Sequence, residues 1–113
     1  MRVLLVEPNY KNKYPPMGLM KISTYHKILG DEVRFVKGFD NSVDDEVWDR
    51  IYITTLFTFD FDLDIETINH YKFLVNDIND LYIGGIMASL MPENIVKVAG
   101  IERSHILTGL FTD

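Results

Sequence analysis

Apolar residues fall in short unbroken runs along this chain, and between the runs they spread out to spacings of three and four. The runs cover residues 1–6, 32–36, 50–58, 80–83 and 105–108. In the third run Ile51 and Ile53 point to one side and Tyr52 to the other, so both sides are apolar. A strand reads this way when helices cover it on both faces. A helix is expected from Pro16 to Leu29, with Leu19, Ile22, Tyr25 and Leu29 as its inward stripe. Pro16 suits a first helical turn, and Gly30 suits the position just past the end. A second helix is expected over residues 63–75, with Ile65, Ile68, Tyr71 and Val75 inward, and a third over 92–99. Gly38 should break the second strand, and Ser42, followed by acids, should cap a short helical turn.

Strands alternating with helices imply a mostly parallel sheet. The expected fold is α/β: a three-layer, flavodoxin-like (Rossmann-like), doubly wound sheet of five strands in the order 2-1-3-4-5. The third strand then lies in the middle, and ligands of such sheets bind outside the carboxyl ends of the strands. The stretch from Thr54 to Thr58 is therefore the first place to look for function. A helix normally follows the fifth strand, and residues 109–113 cannot form one, so a longer parent chain is expected. Apolar surface left at that edge would favour self-association of these residues on their own.

Length and composition narrow the field. At 113 residues the chain is expected to be a single domain. Seventeen acids against eleven bases give a net charge of −6 without a basic stripe, which argues against nucleic acid as a partner. The absence of cysteine excludes disulfides, thiolate metal sites and a cysteine-held iron–sulfur cluster within these residues. The first apolar run is too short for a signal peptide or a membrane span, so no membrane partner is expected and the cytoplasm is the default location.

Few residues carry chemistry on their own. Gly84-Gly85 directly after a strand marks a tight turn or a close approach to the backbone. No GxGxxG or P-loop pattern is present. Asp60, Asp62 and Asp64 alternate as in a calcium loop, but no glycine follows at the sixth position and Tyr71 stands at the closing glutamate. Helix capping and first-turn charge explain these acids more simply. His26, His70 and His105 share no spacing and read as structural. Trp48, among acids, reads as an aromatic anchor. Met17, Met20 and Met87 suit either core or an adaptable pocket wall.

Several segments together resemble the cobalamin-binding domain at the N-terminus of B12-dependent radical SAM enzymes. They are Arg2-Val-Leu-Leu-Val-Glu-Pro8, Tyr14-Pro-Pro-Met-Gly-Leu19, Gly30-Asp-Glu-Val33, Thr54-Thr-Leu-Phe-Thr58 and Gly84-Gly85. B12 domains carry Asp-x-His-x-x-Gly, Ser-x-Leu and Gly-Gly motifs. Thr54-Thr-Leu56 stands at the second, and twenty-seven residues lie between Leu56 and Gly84. At the first motif the chain has Glu7-Pro-Asn-Tyr-Lys-Asn12, so Asn9 replaces the cobalt-ligating histidine. The radical SAM branch commonly lacks that histidine too.

The resemblance implies a cobalamin held base-off and His-off at the carboxyl edge of the sheet. Its contacts would be Asn9, Pro16, Met17, Gly18, Thr54, Thr55, Leu56, Phe57, Thr58, Gly84, Gly85 and Ser89, with no metal ligand and no catalytic residue among them. The partner would be a C-terminal radical SAM domain of the same chain, carrying the 4Fe-4S cluster and S-adenosylmethionine. These residues alone would then have no activity. Two readings stay open beside it: a receiver-like signalling domain, and a flavodoxin-like scaffold that binds nothing. A receiver would need an aspartate at the end of strand three and a lysine after strand five, and neither is present.

Overall fold

The structure, a computed structural model, describes residues 1–10, 17–44, 46–55, 61–84, 97 and 106–107. Four parallel strands form its centre: β1 (Arg2–Glu7), β2 (Glu32–Lys37), β3 (Arg50–Thr54) and β4 (Leu81–Gly84). Their order is β2-β1-β3-β4, and all three pairings are parallel. A two-residue segment, β5 (Ile106–Leu107), pairs parallel with the end of β4. Helix α1 (Met17–Ile28) lies on one face and α2 (Phe61–Tyr71) on the other.

The alternation of side chains along a strand divides the core in two. Val3, Leu5 and Tyr52 point toward Leu19, with Met20, Ile22, Val33 and Tyr82 packed around them. Leu4, Val6, Ile51, Ile53, Leu81 and Ile83 point the other way, toward Ile68, Tyr71, Val75 and Trp48. The central strands are buried on both sides, as their unbroken apolar runs require. The outer strand β2 buries only Val36 fully.

The expected inward stripe of α1 needs correction. Tyr25 and Leu29 are 60% and 58% exposed, whereas Ser23 and His26 are buried. Polar partners decide this: His26 reaches Asp31 through Nδ1 (2.8 Å) and the Tyr52 hydroxyl through Nε2 (3.1 Å). A buried imidazole with both nitrogens engaged avoids the cost of unpaired polar burial. The helix stops where Gly30 adopts φ +85°, with Gly30 N–H donating to Lys27 (3.0 Å) and Asp31 N–H to His26 (2.9 Å). That pair of bonds is a Schellman cap, and it sets Asp31 beside the histidine. Asp31 is held below the ordinary carboxylate range by hydrogen bonds from the Met1 amine and then His26.

Other boundaries shift for equally local reasons. Asp40, not Ser42, caps the 3₁₀ turn Asn41–Val43, accepting from both the amide (2.9 Å) and hydroxyl (2.6 Å) of Ser42. Helix α2 ends at Tyr71 rather than Val75, because the chain turns there to bridge Val75 to Trp48. Asp80 belongs to a 3₁₀ turn (Ile78–Asp80) capped by Asp77, so β4 begins one residue later than expected. The expected helix over 92–99 falls outside the described residues, apart from Lys97.

Gly38 ends β2 at φ +73°, and a Cβ there would lie 3.2 Å from the Cβ of Asn9. Gly38→Ala should therefore lower stability by roughly 1–2 kcal/mol, because a side chain at this φ is strained and Asn9 must give way. Denaturant unfolding checks this. An unchanged midpoint would show that the turn relaxes freely.

Candidate functional site

The carboxyl ends of the four strands come together at one rim, and the described polar residues there are of two kinds. Thr54 and Thr55 leave β3 beside Gly84, which pairs with Thr54 in the sheet register. The backbone N–H and the hydroxyl of Thr55 both donate to the Gly84 carbonyl, each at 2.7 Å. Thr55 is thus committed to fastening β3 to β4. Thr54, beside it, is 1% exposed.

Glu7 closes β1 and is also buried, at 1% exposure, with the Lys37 ammonium 3.3 Å from its carboxylate. Its carbonyl accepts from Gly38 N–H (2.8 Å), locking the turn after β2 to the end of β1. Asn9 follows on the surface, while Pro8 and Tyr10 turn inward. The Tyr10 hydroxyl donates to Asp64 in the first turn of α2, both residues being buried. This bond ties the segment after β1 to the helix that follows β3. Tyr71 adds a further tie, donating to the Gly38 carbonyl (2.6 Å) and accepting from Asp40 N–H (3.0 Å). Burial pushes the Tyr71 phenol up, which keeps it a donor.

Of the residues the sequence points to, Asn9, Thr54, Thr55 and Gly84 meet at this rim, and Met17 and Gly18 open α1. Pro16, Leu56, Phe57, Thr58, Gly85 and Ser89 lie outside the described residues. His26 sits toward the far end of α1, and His70 pairs with Asp44 (2.9 Å). Neither joins the rim; His105 is outside the described residues. Among the described residues no group of three or more His, Asp or Glu side chains could hold a metal ion. Asp62 faces solvent while Asp64 faces the core, so these two carboxylates do not share a face, and Asp60 lies outside the described residues.

Two pairs escaped the sequence reading. Asp64 sits in the first turn of α2 as expected of a capping charge, yet it shares the inward stripe of Ile68 and Tyr71 at spacings of four and seven. That spacing is the signal that could have found it. Glu7 and Lys37 lie thirty residues apart, and only the register of β1 against β2 brings them level. No protein-family model matches the chain, and no curated protein matches it significantly. Among the described residues no helix is long and apolar enough to cross a membrane.

Proposed function

We propose that this domain is a cobalamin-binding module, the N-terminal part of a B12-dependent radical SAM enzyme of the cytoplasm. In this reading β5 completes a five-stranded flavodoxin-like sheet in the order 2-1-3-4-5, and the cofactor lies on its carboxyl edge. The observation that carries it is the Thr54–Gly84 pairing. It sets Thr54, the first residue of the Thr-Thr-Leu motif, against the first glycine of the Gly-Gly motif, at the carboxyl edge on which such sheets take ligands.

The residues present suit the group. Gly84 puts no side chain beside Thr54, as a nucleotide tail running along the sheet would require. Thr54 supplies a hydroxyl at the end of β3, on a residue that is 1% exposed. Asn9 is exposed at the rim in place of an imidazole. Bound cobalamin supplies a cobalt centre for alkyl transfer or redox work, while the chain's own task is to bind it and keep its base off the metal. The cluster and S-adenosylmethionine would be held by a C-terminal radical SAM domain.

Titrating the chain with hydroxocobalamin and recording the absorption spectrum tests the reading. Binding with a base-off spectrum that His26→Gln leaves unaltered is the expected result. No binding would favour a scaffold that has kept the fold without the ligand.

A further inference from the structure

β2 is the outermost strand of the sheet, and among the described residues no strand pairs with its free edge. The direction of its backbone groups follows from two bonds. Glu32 N–H donates to the Met1 carbonyl (3.0 Å) and Gly38 N–H to the Glu7 carbonyl (2.8 Å), so the even-numbered amides face β1. In a trans peptide the carbonyl points opposite to the amide that follows it. The carbonyl of Asp31 and both backbone groups of Val33 and Phe35 therefore point outward. An edge of this kind is a template for another strand.

Side chains decide which strand suits it. Glu32 and Arg34 are exposed on the α2 face, and Val33 and Phe35 alternate with them on the α1 face. Charges on an edge ordinarily guard it against pairing. A guard of one sign repels a second copy of itself, but here the signs alternate. Turned antiparallel about Val33, two copies of β2 place Glu32 opposite Arg34 of the second copy, and Arg34 opposite its Glu32. Opposite charges across a strand pair are favourable. Both residues keep polar atoms for the contact: Glu32 holds Arg2 with one oxygen and Arg34 holds Ser42 with one nitrogen, each at 2.7 Å. Centring the pair on Arg34 instead would set arginine against arginine, which like charge opposes.

The register about Val33 also satisfies the backbone. Val33 N–H meets the Val33 carbonyl of the second copy, and Phe35 N–H meets its Asp31 carbonyl, each twice by symmetry. The Asp31 amide, already given to the His26 carbonyl, is not needed. Phe35, 37% exposed, comes to lie opposite Asp31 on the α1 face, next to the end of α1 where Ile28 and Leu29 are exposed. We propose that a second copy of this chain docks on the β2 edge, antiparallel about Val33, and joins the two sheets into one. This is the edge opposite the strand-five side at which the sequence suggests self-association. β1 separates it from the Thr54–Gly84 pairing, so the contact forms with or without cobalamin.

Sedimentation equilibrium over a dilution series tests the docking, and the parent should show monomer and dimer exchanging with concentration. Glu32→Arg, which sets like charges opposite each other twice, should raise the dimer Kd at least about tenfold. Adding Arg34→Glu to that variant restores opposite charges and should return the Kd to within about threefold of the parent. A parent that stays monomeric throughout, or single and double variants that dimerise alike, would overturn the proposal. Should Glu32→Arg fail to fold, the register can be read by cross-linking, because the chain has no cysteine of its own. Opposed residues of a hydrogen-bonded antiparallel pair have Cα atoms about 5.5 Å apart, within the span of a disulfide. Under mild oxidation Val33→Cys should join two copies at least about tenfold faster than Phe35→Cys, whose two copies lie roughly 13 Å apart along the strands. Equal rates, or faster joining through Phe35→Cys, would overturn the pairing about Val33.

Discussion

Trp48→Ala is expected to cost about 3–5 kcal/mol of stability, the usual range for removing a fully buried large aromatic. Trp48 is 1% exposed and packs under β1 and β3 with Ile68, Tyr71 and Val75. Its backbone also closes the sheet at that end, donating to the Leu74 carbonyl and accepting from Asn76 N–H, both at 2.8 Å. The Arg2 guanidinium lies 4.5 Å above the ring, so truncation removes a cation–π contact along with the packing. The backbone bonds survive the substitution, so the loss is that of side-chain volume and area, the cation–π contact and the indole N–H bond to the Val43 carbonyl (3.5 Å). Small domains have roughly 5–15 kcal/mol in total, so this change should take the protein close to unfolding. In urea the midpoint should fall steeply with little change in slope. A loss under about 1 kcal/mol would mean that the α2 side of the core closes over the gap, contrary to the packing described.

Gly84→Trp should reduce cobalamin affinity by at least about a hundredfold, a loss of roughly 2.7 kcal/mol. The side chain would project from the end of β4 on the α1 face, next to Thr54 and across the lane assigned to the nucleotide tail. The Gly84 carbonyl, which accepts both bonds from Thr55, stays in place, so the β3–β4 link should hold. Gly84→Ala is the graded companion, expected to weaken binding less. Urea unfolding of both variants separates a blocked site from a lost fold. Tight binding that survives Gly84→Trp in a folded protein would remove the threading argument.

How much of this was legible in the sequence depends on what each residue has to satisfy. The central strands were legible because burial on both faces leaves no polar alternation, as in Val3 to Val6 and Ile51 to Ile53. Gly30 and Gly38 were legible because positive φ selects glycine, and both adopt it. The inward face of α1 was misread because a hydrophobic stripe assumes that apolar residues go inside. Here Ser23 and His26 go inside, and Tyr25 and Leu29 stay out. The partners that make this affordable, Asp31 after the helix and Tyr52 on β3, are invisible to periodicity.

The rim was legible only in part. Thr54, Thr55 and Gly84 could be placed because strand ends follow from strand runs. The commitment of the Thr55 hydroxyl to the Gly84 carbonyl could not be told from two adjacent threonines. Glu7 with Lys37 and Tyr10 with Asp64 depend on which residues the register and the α2 packing bring level. Spacing along the chain carries no trace of the first pair and only the stripe position of Asp64 for the second.

The central claim is that cobalamin binds at this rim with its base off the metal and no protein imidazole in its place. Reducing the bound cofactor to the cobalt(II) state and recording its electron paramagnetic resonance spectrum tests that most directly. The account predicts a base-off spectrum free of superhyperfine splitting from an axial nitrogen, identical in the parent, His26→Gln and His70→Gln. Nitrogen splitting that disappears with either histidine would contradict it, as would a spectrum indistinguishable from that of cobalamin free in solution.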